Sequence, residues 1–357
     1  MSSAAIKKKI YSGARITPAE AMSLFSWDLL ELGESADFRR RLVHPQNTVG
    51  FILDRIINFT NVCEASCSFC AFHSRAALPP YELAVAEILS KTGELAAIGG
   101  TQVMLQGGLH PDYDISAYAR LLKAVKKKYP EITLHSFSPS ELAHAAKKSR
   151  LTLDEALTKL KAAGLSSMPG ASDLLVDRVR REVSPRKITT AQWEEVMRAL
   201  ARHGLPSSAT MTYGMGETLR ERVRHLEVVR RTQDATGVIR AFIPWSFSPG
   251  NTRLSHIVPA TGVDYLKIVA VSRIFLDNVR YIQAGWLTEG LKLAQVALAM
   301  GANDMGGVLT EERVLKATGA GAKACAEEFI DLIRNAGRAP VLRDSAYRII
   351  NRRPGRK

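Results

Sequence analysis

Cysteine is scarce in this chain: four residues in 357, too few for the disulfide framework that staples a small secreted domain. Long hydrophobic runs are missing too. No apolar stretch approaches the roughly 20 residues that a membrane-spanning helix needs, and the N-terminal "MSSAAIKKKIYSG" lacks the apolar centre of a secretory signal. The expectation is a cytoplasmic protein with no membrane partner. Acidic residues are outnumbered, 35 Asp and Glu against 49 Lys and Arg, for a formal net charge of +14. A basic balance invites a nucleic-acid reading, because cationic side chains release counterions from phosphates. Much of the excess, however, is gathered in "KKK" at 7–9, "KKK" at 126–128 and the tail "RDSAYRIINRRPGRK", which read as solvated surface and a basic terminus. No nucleic acid is expected, and a basic pocket for an acidic small molecule suits the charge better.

What is present is enough apolar material, 46% of the residues, to bury a large core. Residues 15–45 read as helical: in "TPAEAMSLFSWDLLELG" Thr17 stands as N-cap, Pro18 at the first helical position and Glu20 three residues after the cap, with Gly33 expected to end the helix. From residue 51 short β-prone runs alternate with longer amphipathic ones. The runs are "FILDRIINFT", "TQVMLQ", "ITLHSFS", "LSSMP", "SSATMTYG", "VIRAFIPWSF", "YIQAGW" and a weaker "GANDM". Eight strands alternating with helices build right-handed parallel βαβ units that can close into a barrel. The expected fold is therefore α/β, a (β/α)8 TIM-type barrel over 51–335, with a helical extension over 1–50 and a C-terminal strand and basic tail over 336–357.

The polar and unusual residues fall at the C-terminal ends of these strands: Asn61 with the cysteines, "QGG" 106–108, "HSFSPSE" 135–141, "MPGASD" 168–173, "YGMGE" 213–217, "WSFSPGN" 245–251 and "ND" 303–304. In a parallel barrel all of them lie on the face that carries active sites, so the distribution implies an enzyme. Three of the four cysteines, Cys63, Cys67 and Cys70, stand together as C-x3-C-x2-C in the loop after the first strand. Three thiolates can hold three corners of a [4Fe–4S] cluster and leave the fourth iron open for a ligand that is not protein. Zinc competes on spacing, with His73 as its fourth ligand, although the paired C-x2-C units of zinc ribbons are absent and the barrel placement argues against it.

"CEASCSFC" resembles the C-x3-C-x-aromatic-C signature of the radical S-adenosylmethionine (radical SAM) superfamily. The resemblance implies that Cys63, Cys67 and Cys70 ligate a [4Fe–4S] cluster whose open iron binds S-adenosylmethionine, and that the reduced cluster splits the sulfonium into a 5′-deoxyadenosyl radical. It also implies that Phe69 borders this cofactor, that Gln106, Gly107 and Gly108 receive its methionine end, that Asp173 faces its ribose hydroxyls, and that Tyr213, Gly214 and Glu217 pack on the adenosine. Two departures stand out: the run 168–173 is one residue shorter than in relatives, and Met215 occupies a position where they usually carry His. Glu217 is equally a first-turn residue favoured by a helix dipole.

From about residue 15 to 350 the chain is most similar to the group that holds dehypoxanthine futalosine cyclases, aminofutalosine synthases and deazaflavin-forming synthases. "INFTNVC", "QGGLHPD", "HSFSPSE", "FIPWSFSPGNT", "GANDMGG" and "RDSAY" resemble the cyclases most. That likeness implies dehypoxanthine futalosine as substrate in a futalosine route to menaquinone, and a reduced flavodoxin or ferredoxin-type electron donor. It implies hydrogen removal at ribose C4′, addition of the carbon radical to the benzoate ring, and loss of an electron and a proton. His135, Glu141 and Asp304 are candidates for the base because each ends a strand, against the plainer reading that local backbone satisfies each of them. Asn251 and Asn303 either bind ribose hydroxyls or cap loops. Cys325 is expected as a small buried hydrophobe on a helix face, "TGAGAKA" at 318–324 as the opening of the final helix, and His144, His203 and His225 as packing or surface residues.

Overall fold

The computed structural model describes residues 2–73, 78–309, 311, 313–321 and 323–350. The first strand, β1 (Thr48–Asn58), is rich in β-branched residues and buried along almost its whole length, as a strand covered on both faces must be. The other barrel strands follow in order as β2 (Gln102–Gln106), β3 (Thr133–His135), β4 (Leu165–Ser167), β5 (Ser207–Tyr213), β6 (Ile239–Ser246), β7 (Tyr281–Ile282) and β8 (Asp304–Leu309). Each falls on a run expected from the sequence. Parallel ladders join β4-β3-β2-β1-β8 and β5-β6-β7. The two sheets meet through single parallel bridges, Met168 with Ser207 and Gln283 with Asp304, so the eight strands form one closed ring of the expected (β/α)8 kind.

The helices between strands begin on side-chain caps that the sequence supplies. Thr152, Thr189, Thr218 and Thr261 each close a capping box with the residue three positions on, Glu155, Gln192, Glu221 and Asp264. Their apolar faces pack on the barrel, and Trp193, Leu226 and Tyr265 are fully buried there. Among the described residues no helix is long and apolar enough to cross a membrane.

Four readings are corrected. The segment 15–45 is two helices, Pro18–Leu24 and Leu29–Val43, parted at 25–28, where Asp28 accepts from the amides of Leu30 (2.9 Å) and Glu31 (3.2 Å) and starts the second. Gly33 lies inside that second helix, and a Cβ there would stand 2.6 Å from Met300 Sδ, so it serves close packing rather than termination. Cys325 is exposed and precedes the helix Ala326–Asn335, with its amide donating to Glu328 Oε2 (2.7 Å). The face it was expected to share is carried by Ala326, Phe329 and Ile333. "TGAGAKA" does not open that helix either, because Gly319 and Gly321 have φ of +82° and +132°; Ala322 of this run lies outside the described residues.

After the helix Ala326–Asn335 the chain makes β9 (Ala339–Leu342), which pairs in parallel with Thr48–Phe51 of β1. Residues 343–350 then fold back, bridging Arg343 to Ile349, and place Arg343, Ser345 and Tyr347 against the barrel interior. Residues 351–357 of the basic tail lie outside the described residues.

Candidate active site

The cysteine loop leaves β1 and is tied down from three directions. Glu64 N–H donates to the Leu109 carbonyl (2.9 Å), Ser68 N–H to the Val183 carbonyl (2.8 Å), and Arg253 N–H to the Ser68 carbonyl (3.1 Å). Arg186 Nη1 adds a bond to the Glu64 carbonyl (2.9 Å). Gly107 and Gly108 make this closeness possible. A Cβ on Gly108 would stand 2.5 Å from Cys63 Cβ, and one on Gly107 2.8 Å from the Phe59 ring. The Leu109 amide, next in sequence, points at Cys63 Sγ (3.2 Å). The glycine pair therefore has a packing role whatever else its backbone receives.

Burial pushes the Cys67 thiol up to about 12 and raises the Cys70 thiol as well, so without a metal they are inert; a bound cation supplies the charge that deprotonates such thiols. Among the described residues no group of three or more His, Cys, Asp or Glu side chains converges as a single metal ion would need. Cys67 is buried on this loop with Cys63 and Cys70 packed beside it, a set of three soft thiols that fits an iron–sulfur cluster.

From Phe69 and Cys70 a cavity of about 400 Å³ runs into the barrel. Gln106 and Asp173 line it near the loop. Asp173 sits at φ +47°, and its carboxylate accepts from Lys187 Nζ (2.7 Å). Burial works against the Lys187 ammonium, but Asp173 and Cys67 together outweigh it and hold the pKa above the usual lysine value; the same ammonium lies 5.7 Å from the Phe69 ring centre. The "YGMGE" turn stands outside the cavity lining. There Glu217 accepts from the amides of Gly214 (2.7 Å) and Met215 (2.8 Å) and from Arg222 Nε (2.7 Å), while Tyr213 is buried under the Arg222 guanidinium, 4.8 Å from its ring centre.

The three candidate bases separate. His135 lines the cavity, with Nδ1 2.8 Å from Ser167 Oγ. Burial, then the charges of Arg240 and Arg343, hold its pKa well below the ordinary histidine value, so the ring is neutral. Glu141 does not line the cavity: it accepts from Gly107 N–H (3.0 Å) and so braces the glycine turn, with burial pushing its carboxyl up to about 7. Asp304, fully buried, is also outside the lining and is bound by both arms of Arg343, at 2.5 and 2.7 Å, and by Gly306 N–H (2.8 Å). Asn303 is saturated by Arg273, the Ile282 amide and the Arg280 carbonyl, and Asn251 donates to the Ala317 carbonyl. Both settle on the structural alternative.

The residue missed in the sequence is Asp54. It lies in the middle of β1 and lines the cavity; one oxygen accepts from Gln102 Nε2 (3.1 Å), while Oδ1 has no hydrogen-bond partner. Burial pushes its carboxyl up to about 7, against the pull of Arg343. The available signal was a carboxylate in the centre of "FILDRIIN", a strand otherwise apolar on both sides. Arg240 and Arg343, also in the lining, carried no such mark.

A closed parallel barrel with a three-thiol loop at the C-terminal ends of its strands and a cavity beneath defines a class, the radical SAM enzymes. Residues 57–229 match the radical SAM superfamily, and residues 235–354 match the CofH/MqnC C-terminal region. The chain belongs to the radical SAM superfamily and, within it, to the family that carries the CofH/MqnC C-terminal region. It is 41% identical to a cyclic dehypoxanthine futalosine synthase of Streptomyces coelicolor, over 94% of this chain and 86% of that one. A protein of the same name from Halalkalibacterium halodurans is 38% identical over 98% and 95%. A 5-amino-6-(D-ribitylamino)uracil–L-tyrosine 4-hydroxyphenyl transferase of Methanococcoides burtonii is 41% identical over 97% and 98%. Among solved structures, the FeFe-hydrogenase maturase HydG from Carboxydothermus hydrogenoformans superposes with a TM-score of 0.76 at 18% identity, over 97% of this chain and 80% of that one. Methylornithine synthase superposes with 0.73 at 19%, over 94% and 97%. These two share the fold.

Proposed function

We propose that this chain is a futalosine-route cyclase that closes dehypoxanthine futalosine into its cyclic product. The observation that carries the reading is the single cavity joining the cysteine loop to the polar set Asp54, His135 and Arg240, in a chain similar along nearly its whole length to two proteins named for that product. When bound at Cys63, Cys67 and Cys70, the cluster with S-adenosylmethionine supplies the adenosyl radical that takes the ribose C4′ hydrogen. Phe69, Gln106, Gly107 and Gly108 border the methionine end, Glu141 holding the glycine turn in place. Asp173, steadied by Lys187, faces the ribose of the cofactor, and Tyr213, Gly214 and Glu217 back its adenosine. Ring closure releases one proton and one electron from the benzoate ring, the electron passing to an electron-transfer partner. His135, neutral and in the lining, and Asp54 in its ionised form, with a carboxyl oxygen unengaged, are our candidates for taking the proton. Asp304 keeps Arg343 at the cavity wall.

The likeness to the archaeal hydroxyphenyl transferases is as high, so a second reading has L-tyrosine and an aminouracil as co-substrates. The anaerobically reconstituted protein, reduced with S-adenosylmethionine present, is given each substrate set in turn and the products are weighed. Conversion of dehypoxanthine futalosine to a product lacking one ribose and one ring hydrogen is the expected result; a hydroxybenzylated aminouracil in its place overturns the cyclase reading.

A further inference from the structure

Buried arginines in this fold are mostly well supplied with partners. Arg273 donates to the carbonyls of Gly301, Val279 and Arg280 and to Asn303; Arg180 to those of Ser172 and Ile188. Arg343 holds Asp304 with two bonds. Arg240 differs. It stands second in β6, at the end of the barrel away from the cysteine loop, and lines the cavity. Among the described residues its side chain makes one hydrogen bond, to the Ser345 carbonyl, and no ion pair. Burial, with the like charge of Arg343, outweighs the pull of Tyr347 and Asp344 and holds its pKa below the usual arginine value. A largely enclosed guanidinium that no carboxylate binds directly is costly, and a planar fork facing a cavity is shaped to take a carboxylate through two parallel bonds.

We propose that Arg240 is the receptor for a substrate carboxylate, seated at the inner end of the cavity, and that this contact fixes which end of the substrate faces the cysteine loop. The inference rests on the reading above of an aryl carboxylate substrate. The ligand supplies the missing negative charge, with neutral His135 lining the same cavity. With Arg343 in the same lining already bound to Asp304, one guanidinium is open to the ligand, which suits a carboxylate better than a phosphate or sulfate.

The test uses the full chain, reconstituted with its cluster, with benzoate and benzamide as probes. Binding is followed by the fluorescence of Trp245 and Trp286, which line the cavity. The wild-type protein is expected to bind benzoate about tenfold more tightly than benzamide, the worth of a charge-assisted hydrogen bond, and Arg240→Met to abolish the difference. Because Arg240→Met removes a largely enclosed cation that no carboxylate binds directly, the ligand-free variant is also expected to melt at the same temperature as wild type or higher. Equal binding of the two probes by wild type, selectivity that survives in Arg240→Met, or a variant that melts lower or fails to fold each overturns the proposal; the last would assign Arg240 to holding the Ser345 carbonyl. Benzoate selectivity lost in Arg240→Met while dehypoxanthine futalosine is not turned over leaves the carboxylate site standing and removes the cyclase reading; turnover with selectivity intact in the variant does the reverse.

Discussion

The two ends of the cavity are built in opposite ways. At the mouth, one loop of eight residues carries all three thiols, and the neighbouring Gly107–Gly108 turn fits against it with no room for a Cβ. At the floor, Asp54, His135, Arg240 and Arg343 come from β1, β3, β6 and the segment after β9, and no two are near in sequence. The mouth is a local motif held by backbone bonds; the floor is a product of closure, in which each charge is placed by a different strand. Chemistry common to a superfamily can reside in the first, while the second can change one strand at a time to suit a substrate.

The largest effect expected is at the mouth. Replacing Cys63, Cys67 or Cys70 with Ser should remove a proposed cluster ligand, and turnover should fall to background with a loss of bound iron measured on the same sample; a Cys67→Ser protein that keeps full iron and activity would break the comparison at its strongest point. Next is Arg343→Met, which leaves Asp304 buried and uncompensated and should cost about 3–5 kcal/mol of stability by denaturant titration. Gly108→Ala follows at about 1–3 kcal/mol for overpacking, and its signature should be local, a drop in iron incorporation larger than the shift in melting temperature.

Apart from these stands Asp54→Asn, a nearly isosteric change read through pH. Burial pushes the folded Asp54 carboxyl up to about 7 from its ordinary value of 3.8. Its stabilising contribution is therefore full below 3.8, where both states are protonated, and is lost as the pH rises through about 7. Urea titrations of wild type across that window should show this decline, and in Asp54→Asn the decline should be absent. A variant with the wild-type slope would mean that Asp54 is not held protonated by the fold.

How much of this was legible in the sequence follows the same division. The eight strand runs, the Thr17 capping box and the cysteine loop are contiguous patterns, and each lies where the residues indicate. Closure of the barrel was not legible, because β4–β5 and β7–β8 meet through one bridge apiece and β7 has two residues. Gly33 misled because a glycine needed for contact with Met300 looks the same as one that ends a helix. Glu141 and Asp304 end strands as a base should, yet their oxygens are taken by Gly107 N–H and by Arg343, contacts across strands that spacing does not encode. Asp54 left a trace in its strand, whereas Arg240 is distinguished only by the partner it lacks.

The pairing of β1 with β8 and β9 sets an order in time. β1 is made early, but two of its three partners, from Asp304 and from Ala339, are more than 250 residues downstream, and Arg343 and Tyr347 reach the cavity wall only after β9 has docked. During synthesis the thiol loop therefore emerges long before the barrel that will shelter it, and such long-range parallel pairing is slow to form. The nascent chain exposes three oxidisable sulfurs through that interval, so the yield of active protein from a cell should depend on how reducing the compartment is while the chain is still being made.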